Sequence, residues 1–146
     1  MKKNLFRGKR KDNGGWIVGY YVCLNEKSHR IYTGYAETDC GIYYPDYCEV
    51  IPETVGRYIG LNDKNCREIC EGDIVHAVYK SGYTGIPDKD FGIGVIKYSG
   101  THYGGAAYQI DIIGEPGCRI FSASLRVEVI GNVHDNPELL KRSDYE

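Results

Sequence analysis

Six cysteines and four histidines are the residues of this chain best suited to covalent or metal chemistry. Cys66 and Cys70 have the Cys-x-x-x-Cys spacing of a zinc pair, and Cys40 or Cys48 with His76 would complete four ligands. The local pattern argues against a metal. Cys66 falls in a turn and Cys70 at the far end of a strand, so their side chains need not converge. Cys40 and Cys48 form no second close pair, and scattered thiols of this kind are usually packed or idle. No metal and no cofactor is expected. Nucleophilic catalysis needs a thiol or hydroxyl beside a base that a third group orients. His29, His76, His102 and His134 are scattered near turns and strand ends, outside any recognisable elbow or triad signature. Glu71 and Asp73 are paired carboxylates, but they flank Gly72 in a tight reversal. Asp73 there is expected to bind backbone N–H groups, a structural role. Gly92-x-Gly94 lacks the third glycine and the helix of a dinucleotide cradle. A non-enzymatic chain is expected.

Recognition chemistry is better represented. The chain holds 14 Tyr and one Trp. Tyr20, Tyr21, Tyr43, Tyr44, Tyr47, Tyr83, Tyr98 and Tyr103 exceed what a small core can hide, and Tyr is enriched at protein contact cores. Tyr43, Tyr44 and Tyr47 are the first candidates for an exposed patch. Residues 1–11 carry six bases and no acid, leaving 12 bases against 20 acids, a charge of −8, on the remainder. Lys9, Arg10 and Lys11 lie beside Trp16, so nucleic acid is the alternative partner: stacked bases on aromatics, phosphates on cations. The acidic remainder weakens that electrostatic attraction. A protein partner or a second copy is therefore favoured, and a membrane partner is not expected.

The elements that must position these residues are short strands. With 42% hydrophobic and 26% charged residues, the chain has a globular composition. Its 146 residues fit one domain, with a possible subdivision into 1–55, 56–136 and a tail at 137–146. Strands are expected at 4–9, 16–24, 29–34, 47–51, 56–61, 67–70, 74–80, 91–98, 106–113, 120–124 and 126–132. Asp12-Asn13-Gly14-Gly15 predicts a type I′ hairpin turn, because Asn-Gly tolerates positive φ. Residues 35–45 predict an irregular loop with a short strand, since Gly41 and Pro45 interrupt any period. Asp63 opens a turn at 63–66, residues 81–90 read as a mobile loop, and 100–105 as a turn. Pro52 starts one helical turn, and Asn136 caps a second that begins at Pro137. Many short strands divided by turns indicate a mainly β fold, a small barrel or sandwich. No apolar signal core follows Lys2-Lys3, and no run approaches the ~18 apolar residues of a membrane span. A cytoplasmic protein with reduced thiols is expected.

Three blocks also carry a family resemblance. They are Phe6-Arg7-Gly8-Lys9 with Gly15-Trp16-Ile17-Val18-Gly19-Tyr20, residues 56–75, and Glu128-Val129-Ile130-Gly131-Asn132-Val133-His134-Asp135-Asn136-Pro137-Glu138-Leu139-Leu140. Together the blocks resemble the YopX-like proteins of bacteriophages and prophages, and with their spacing they span nearly the whole chain. Cys66 stands where that family has a turn glycine, and Cys70 where an aromatic is common. The resemblance implies a mostly β fold with an SH3-like barrel, and an accessory protein of mobile genetic elements. It carries over no catalytic residues.

Overall fold

The computed structural model describes residues 5–102, 105–114, 119–120 and 125–141. Eleven strands and two 3-10 turns appear among them. The strands are β1 (Phe6–Lys9), β2 (Trp16–Leu24), β3 (Ser28–Glu37), β4 (Tyr43–Glu49), β5 (Gly56–Asn62), β6 (Glu68–Cys70), β7 (Asp73–Tyr79), β8 (Lys89–His102), β9 (Gly105–Ile112), β10 (Arg119–Ile120) and β11 (Leu125–Asn132). They form two antiparallel sheets, ordered β4-β3-β2-β1-β5-β6 and β10-β9-β8-β7-β11. The expected mainly β fold is present. No closed barrel is formed by the described strands.

Two compact units divide the chain, Met1–Tyr58 and Ile59–Glu146, and the division falls inside β5. In the N-terminal unit, β1 pairs with β2 and with the start of β5, while β2 pairs with β3 and β3 with β4. Ile31 and Val50 are its fully buried side chains. Thr54 ties β1 to the 3-10 turn Pro52–Thr54: Lys9 N–H donates to its hydroxyl at 2.8 Å, and that hydroxyl donates to the Ile51 carbonyl at 2.6 Å.

The hairpins depart from expectation in two ways. The irregular loop with a short strand expected at 35–45 is confined to residues 38–42, because β3 runs on to Glu37 and β4 begins at Tyr43. Gly34 sits where the pairing shifts between Tyr32 and Gly34, at φ +147°, and so serves a bulge rather than a break. Pro45 is tolerated because β4 is a sheet edge. The type I′ turn is also absent from Asn13-Gly14, where only Gly14 takes positive φ. Instead Asn25 and Glu26 both do, at 52° and 60°, beneath a Lys27 N–H to Leu24 C=O bond of 3.1 Å.

The core of the C-terminal unit gathers Ile69, Val75, Ala77, Ile96, Ile110, Ile112, Val127 and Val129. Alternation explains the choice. Val75 lies opposite Val129, and Ala77 opposite Val127, so one face of β7 and β11 turns inward together. The expected loop at 81–90 joins β7 to β8 and is tied at its base. Ser81 N–H donates to Asp88 at 3.1 Å, and the Ser81 hydroxyl donates to the Ile86 carbonyl at 2.5 Å. The turn expected at 100–105 is narrower, since β8 continues to His102; residues 103–104 lie outside the described set. Of the strand expected at 120–124, only Ile120 is described, and residues 142–146 of the tail are not. Pro137–Leu140 is a 3-10 turn, but Asn136 does not cap it. Its Oδ1 instead accepts from Asn132 N–H at 3.2 Å.

The predicted structural turns hold this unit together. Gly72 takes φ +90°, and Asp73 accepts Cys70 N–H at 2.8 Å, closing the reversal as expected. Asp63 is 7% exposed, and its carboxylate accepts three backbone N–H groups: Asn65 at 2.9 Å, Arg67 at 2.9 Å and Val129 at 3.0 Å. Burial pushes its proton affinity up. The three N–H bonds, with the Arg67 charge behind them, outweigh that and hold the carboxyl below the usual range.

Hydrogen bonds to a charged group contribute about 1.5–3 kcal/mol each, not additively. Asp63→Asn keeps the shape but loses the charge, and is expected to cost about 3 kcal/mol in urea unfolding. Because the folded carboxyl ionises more readily than the unfolded one, its contribution is complete above the unfolded Asp range of about 3.9. It is lost as pH falls below that value through the folded one, so the Asn variant should show a shallower acid limb below about pH 5. An unchanged limb would show that Asp63 does not carry this term. Cys66, at φ 65°, is an exposed residue in the left-handed region. That conformation costs about 1–2 kcal/mol without glycine, partly offset by glycine's freedom when unfolded. Cys66→Gly should therefore gain about 0.5–1 kcal/mol in the same assay, and a loss would contradict the strained turn.

Candidate functional site

The strand period decides which side chains share a face. Along β2, Val18, Tyr20, Val22 and Leu24 alternate with Gly19, Tyr21 and Cys23. The first set points outward, and all four are exposed large hydrophobics, Tyr20 at 56%. The pairing register extends this face. Tyr20 stands opposite Tyr32, Val22 opposite Arg30, Tyr32 opposite Tyr47, and Glu37 opposite Tyr43. Arg7, buried at 8% exposure, lies opposite Val18, and the half-buried Lys9 lies opposite Trp16. The outer face thus runs from Lys9 of β1 across a valine–tyrosine stripe to Tyr47 and Tyr43 of the edge strand.

Its polar groups are held in place. The Arg30 guanidinium lies 4.2 Å from the Tyr47 ring centre, donates to Ser28 at 3.0 Å and to the Tyr32 hydroxyl at 3.3 Å. The Tyr32 and Tyr47 rings are 5.2 Å apart. Arg7 and Lys9 both lie over the Trp16 ring, at 4.9 and 5.4 Å. Such cation–π contacts fix long side chains against aromatic surface.

The candidate residues separate accordingly. Lys9, Trp16, Tyr43 and Tyr47 lie on the outer face, whereas Tyr44 alternates to the opposite side of β4. Arg10 does not join them. It forks onto Asp12 at 2.9 and 2.7 Å, and that bond holds the exposed Asp12 carboxyl below its usual range. Lys11 is exposed beyond the strand. Residue types alone single out only Tyr20 of the stripe Val18, Tyr20, Val22 and Leu24, although its period-2 spacing is written in the sequence.

Other chemistry is thinner. Cys66 is exposed and Cys70 buried, and among the described residues no group of three metal-ligating side chains is gathered. A hollow of about 340 Å³ in the C-terminal unit is lined by Lys64, His76, Val78, Lys80, Arg126, Val127 and Glu128. Its lysines are committed, Lys64 to Glu128 at 3.1 Å and Lys80 to Asp88 at 3.2 Å, and His76 meets Asp90 at 2.8 Å. His29 is the exception to the scattered histidines, standing across the strand pair from Cys23.

The register of the outer face depends on Gly19. A Cβ there would lie 2.3 Å from the Tyr32 carbonyl oxygen and 2.9 Å from Ile31 Cγ2. Overpacking costs about 1–3 kcal/mol, and a backbone obstacle favours the upper end. Gly19→Ala should lower unfolding free energy by about 3 kcal/mol. A loss below about 0.5 kcal/mol would mean that β2 and β3 are not held this closely.

The comparisons with known proteins agree with the fold. A crystal structure of protein EF1440 from Enterococcus faecalis is similar, with a TM-score of 0.56 and 21% identity, covering 97% of this chain and 100% of that one. No curated protein matches. No helix among the described residues is long and apolar enough to cross a membrane. The family model described as YopX protein matches residues 5–141, nearly the whole chain, and the chain belongs to the YopX protein family.

Proposed function

We propose that the protein is a non-enzymatic interaction module that docks a protein partner on the outer face of its N-terminal sheet. The observation that supports this most is the stripe of Val18, Tyr20, Val22 and Leu24, exposed side by side on β2. A patch of contiguous apolar side chains rimmed by polar ones is the usual form of a protein contact surface. Tyr and Arg are enriched at the centres of such contacts, and Arg30 with Tyr32 and Tyr47 offers a pre-ordered anchor. Lys9 and Arg30 among the rings suit a partner with carboxylates around an apolar centre. An accessory role in a phage or prophage, in the cytoplasm, and an SH3-like arrangement of the C-terminal strands belong to the same proposal.

Nucleic acid is the second reading, favoured by Lys9 and Arg30 lying against aromatic rings on one face. Aliphatic Val18, Val22 and Leu24 between them favour protein, because they offer bases no ring to stack on.

A photoreactive residue at Val22, with one at Asp46 on the opposite side of the sheet as control, tests the assignment. Protein crosslinks from position 22 in cells, absent from position 46 and reduced at least about tenfold by Tyr20→Lys, are the expected result. Equal yields from both positions, or none from position 22, would remove the proposal. Crosslinks only to a second copy would make the partner the chain itself. Salt-steep binding of single strands, weakened by Lys9→Ala and Arg30→Ala, would install the nucleic-acid reading instead.

A further inference from the structure

The opposite face of the same hairpin carries a different chemistry. Cys23 and His29 are a directly opposed pair on β2 and β3, with Cys23 Sγ 3.9 Å from His29 Nε2. The Tyr21 hydroxyl lies 2.5 Å from His29 Nδ1, and the two rings stack at 5.9 Å with 10° between their planes. Tyr21 is braced in turn by the Phe6 ring at 5.5 Å. A thiol, an imidazole in hydrogen-bond reach and a third group holding that imidazole are the parts of an activated nucleophile. Cys23 is exposed, so a small reactant can reach it.

We propose that Cys23 is a nucleophilic thiol, with His29 as its base and Tyr21 as a positioning residue, that forms mixed disulfides with low-molecular-weight disulfides. In the tautomer with the ring proton on Nδ1, that N–H donates to the Tyr21 oxygen. The Nε2 lone pair then faces Sγ and accepts the thiol proton. The Cys23 thiolate attacks one sulfur of the small disulfide. A new S–S bond forms as the old one breaks, and the second half leaves as a thiolate that takes up the proton from His29. Cys23 is oxidised to the mixed disulfide, while the departing half is reduced to a thiol. The step is a stoichiometric modification, and it is independent of the partner-docking face because it uses the other side of the sheet.

Other titratable and charged groups surround this cluster. Tyr21 faces it from β2, and Cys48 and Asp46 share the face from β4 by register. Arg57 of β5 lies 5.1 Å over the Phe6 ring, and Arg10 is bridged to Val50 beside His29. An ordinary thiol, with pKa about 8.5, is only a few per cent ionised at pH 7. Full ionisation would raise its rate about thirtyfold, and the lower nucleophilicity of a more acidic thiol returns part of that. A net advantage of about five- to tenfold is expected.

The test uses the whole protein with dithiobisnitrobenzoate as the disulfide, and peptide mapping to assign each adduct. Cys40 and Cys66 are also exposed, and neither has a histidine hydrogen bond described, so they are internal standards. At pH 7, Cys23 should react about five- to tenfold faster than either. His29→Asn should bring Cys23 down to the rate of Cys40, and Tyr21→Phe should move its pH profile without changing the standards. Equal rates for Cys23, Cys40 and Cys66 in the unaltered protein would overturn the proposal whatever the variants do. An unchanged Cys23 rate in a folded His29→Asn variant would do so as well.

Discussion

A carboxylate withdrawn from water has to be satisfied where it sits, and Asp63 meets that demand with backbone alone. One oxygen takes the N–H groups of Asn65 and Arg67, which shapes the turn between β5 and β6. The other takes Val129 N–H from β11, 66 residues further on. Turn shape and strand position therefore become one condition: neither can relax without leaving the charge uncompensated, the costliest fault a small core can carry. The left-handed Cys66 follows from it. Cys66 N–H returns to the Asp63 carbonyl at 3.0 Å, and the next N–H must point at the Asp63 side chain. The chain accepts a strained cysteine to keep that donor aimed.

The N-terminal unit runs on a different constraint, the two-residue period of a strand. Its buried side is thin, with Ile31 and Val50 at the centre. Even-numbered residues of β2 carry the valine–tyrosine–leucine stripe, and odd-numbered ones carry Tyr21 and Cys23. One strand thus separates a surface suited to a large partner from a thiol suited to a small one. The two proposed roles need share nothing except the backbone between them.

Much of this was legible from residue order. Asp63, Gly72 and Asp73 are short polar or glycine residues between apolar runs, and each does the turn chemistry its type suggests. The 35–45 segment was not legible, because Gly34, Gly41 and Pro45 resemble breakers. A glycine at a bulge and a proline on an edge strand have the same letters as a loop, and only sheet order distinguishes them. Asn13-Gly14 misled for a related reason: a favourable dipeptide permits a type I′ turn, but loop length decides whether one forms. The Cys23–His29 pair needed a register as well as two strands. The turn expected at 25–28 implied a hairpin, yet nothing in residue order fixes which side chains end opposite each other. Arg10 reads as a phosphate-binding cation beside Trp16, although Asp12 two residues later is placed to take it.

Register is what all of these surfaces rest on. A one-residue slip of β2 against β3 would turn Val18, Tyr20, Val22 and Leu24 inward and expose Tyr21 beside a misplaced Cys23. Flat hairpins with polar character on both sides are prone to such slips. Two features resist it here. Gly19 lets the Tyr32 carbonyl approach to where no other residue's Cβ would fit, which marks a unique position along the strand. At the hairpin end, Asn25 and Glu26 both hold positive φ, and for Glu26 this is an unfavourable conformation. Strain in a two-strand tip persists only if the pairing behind it is decided more strongly. The tip and the glycine therefore point to the same conclusion: the chain spends local stability to keep its two faces from exchanging places.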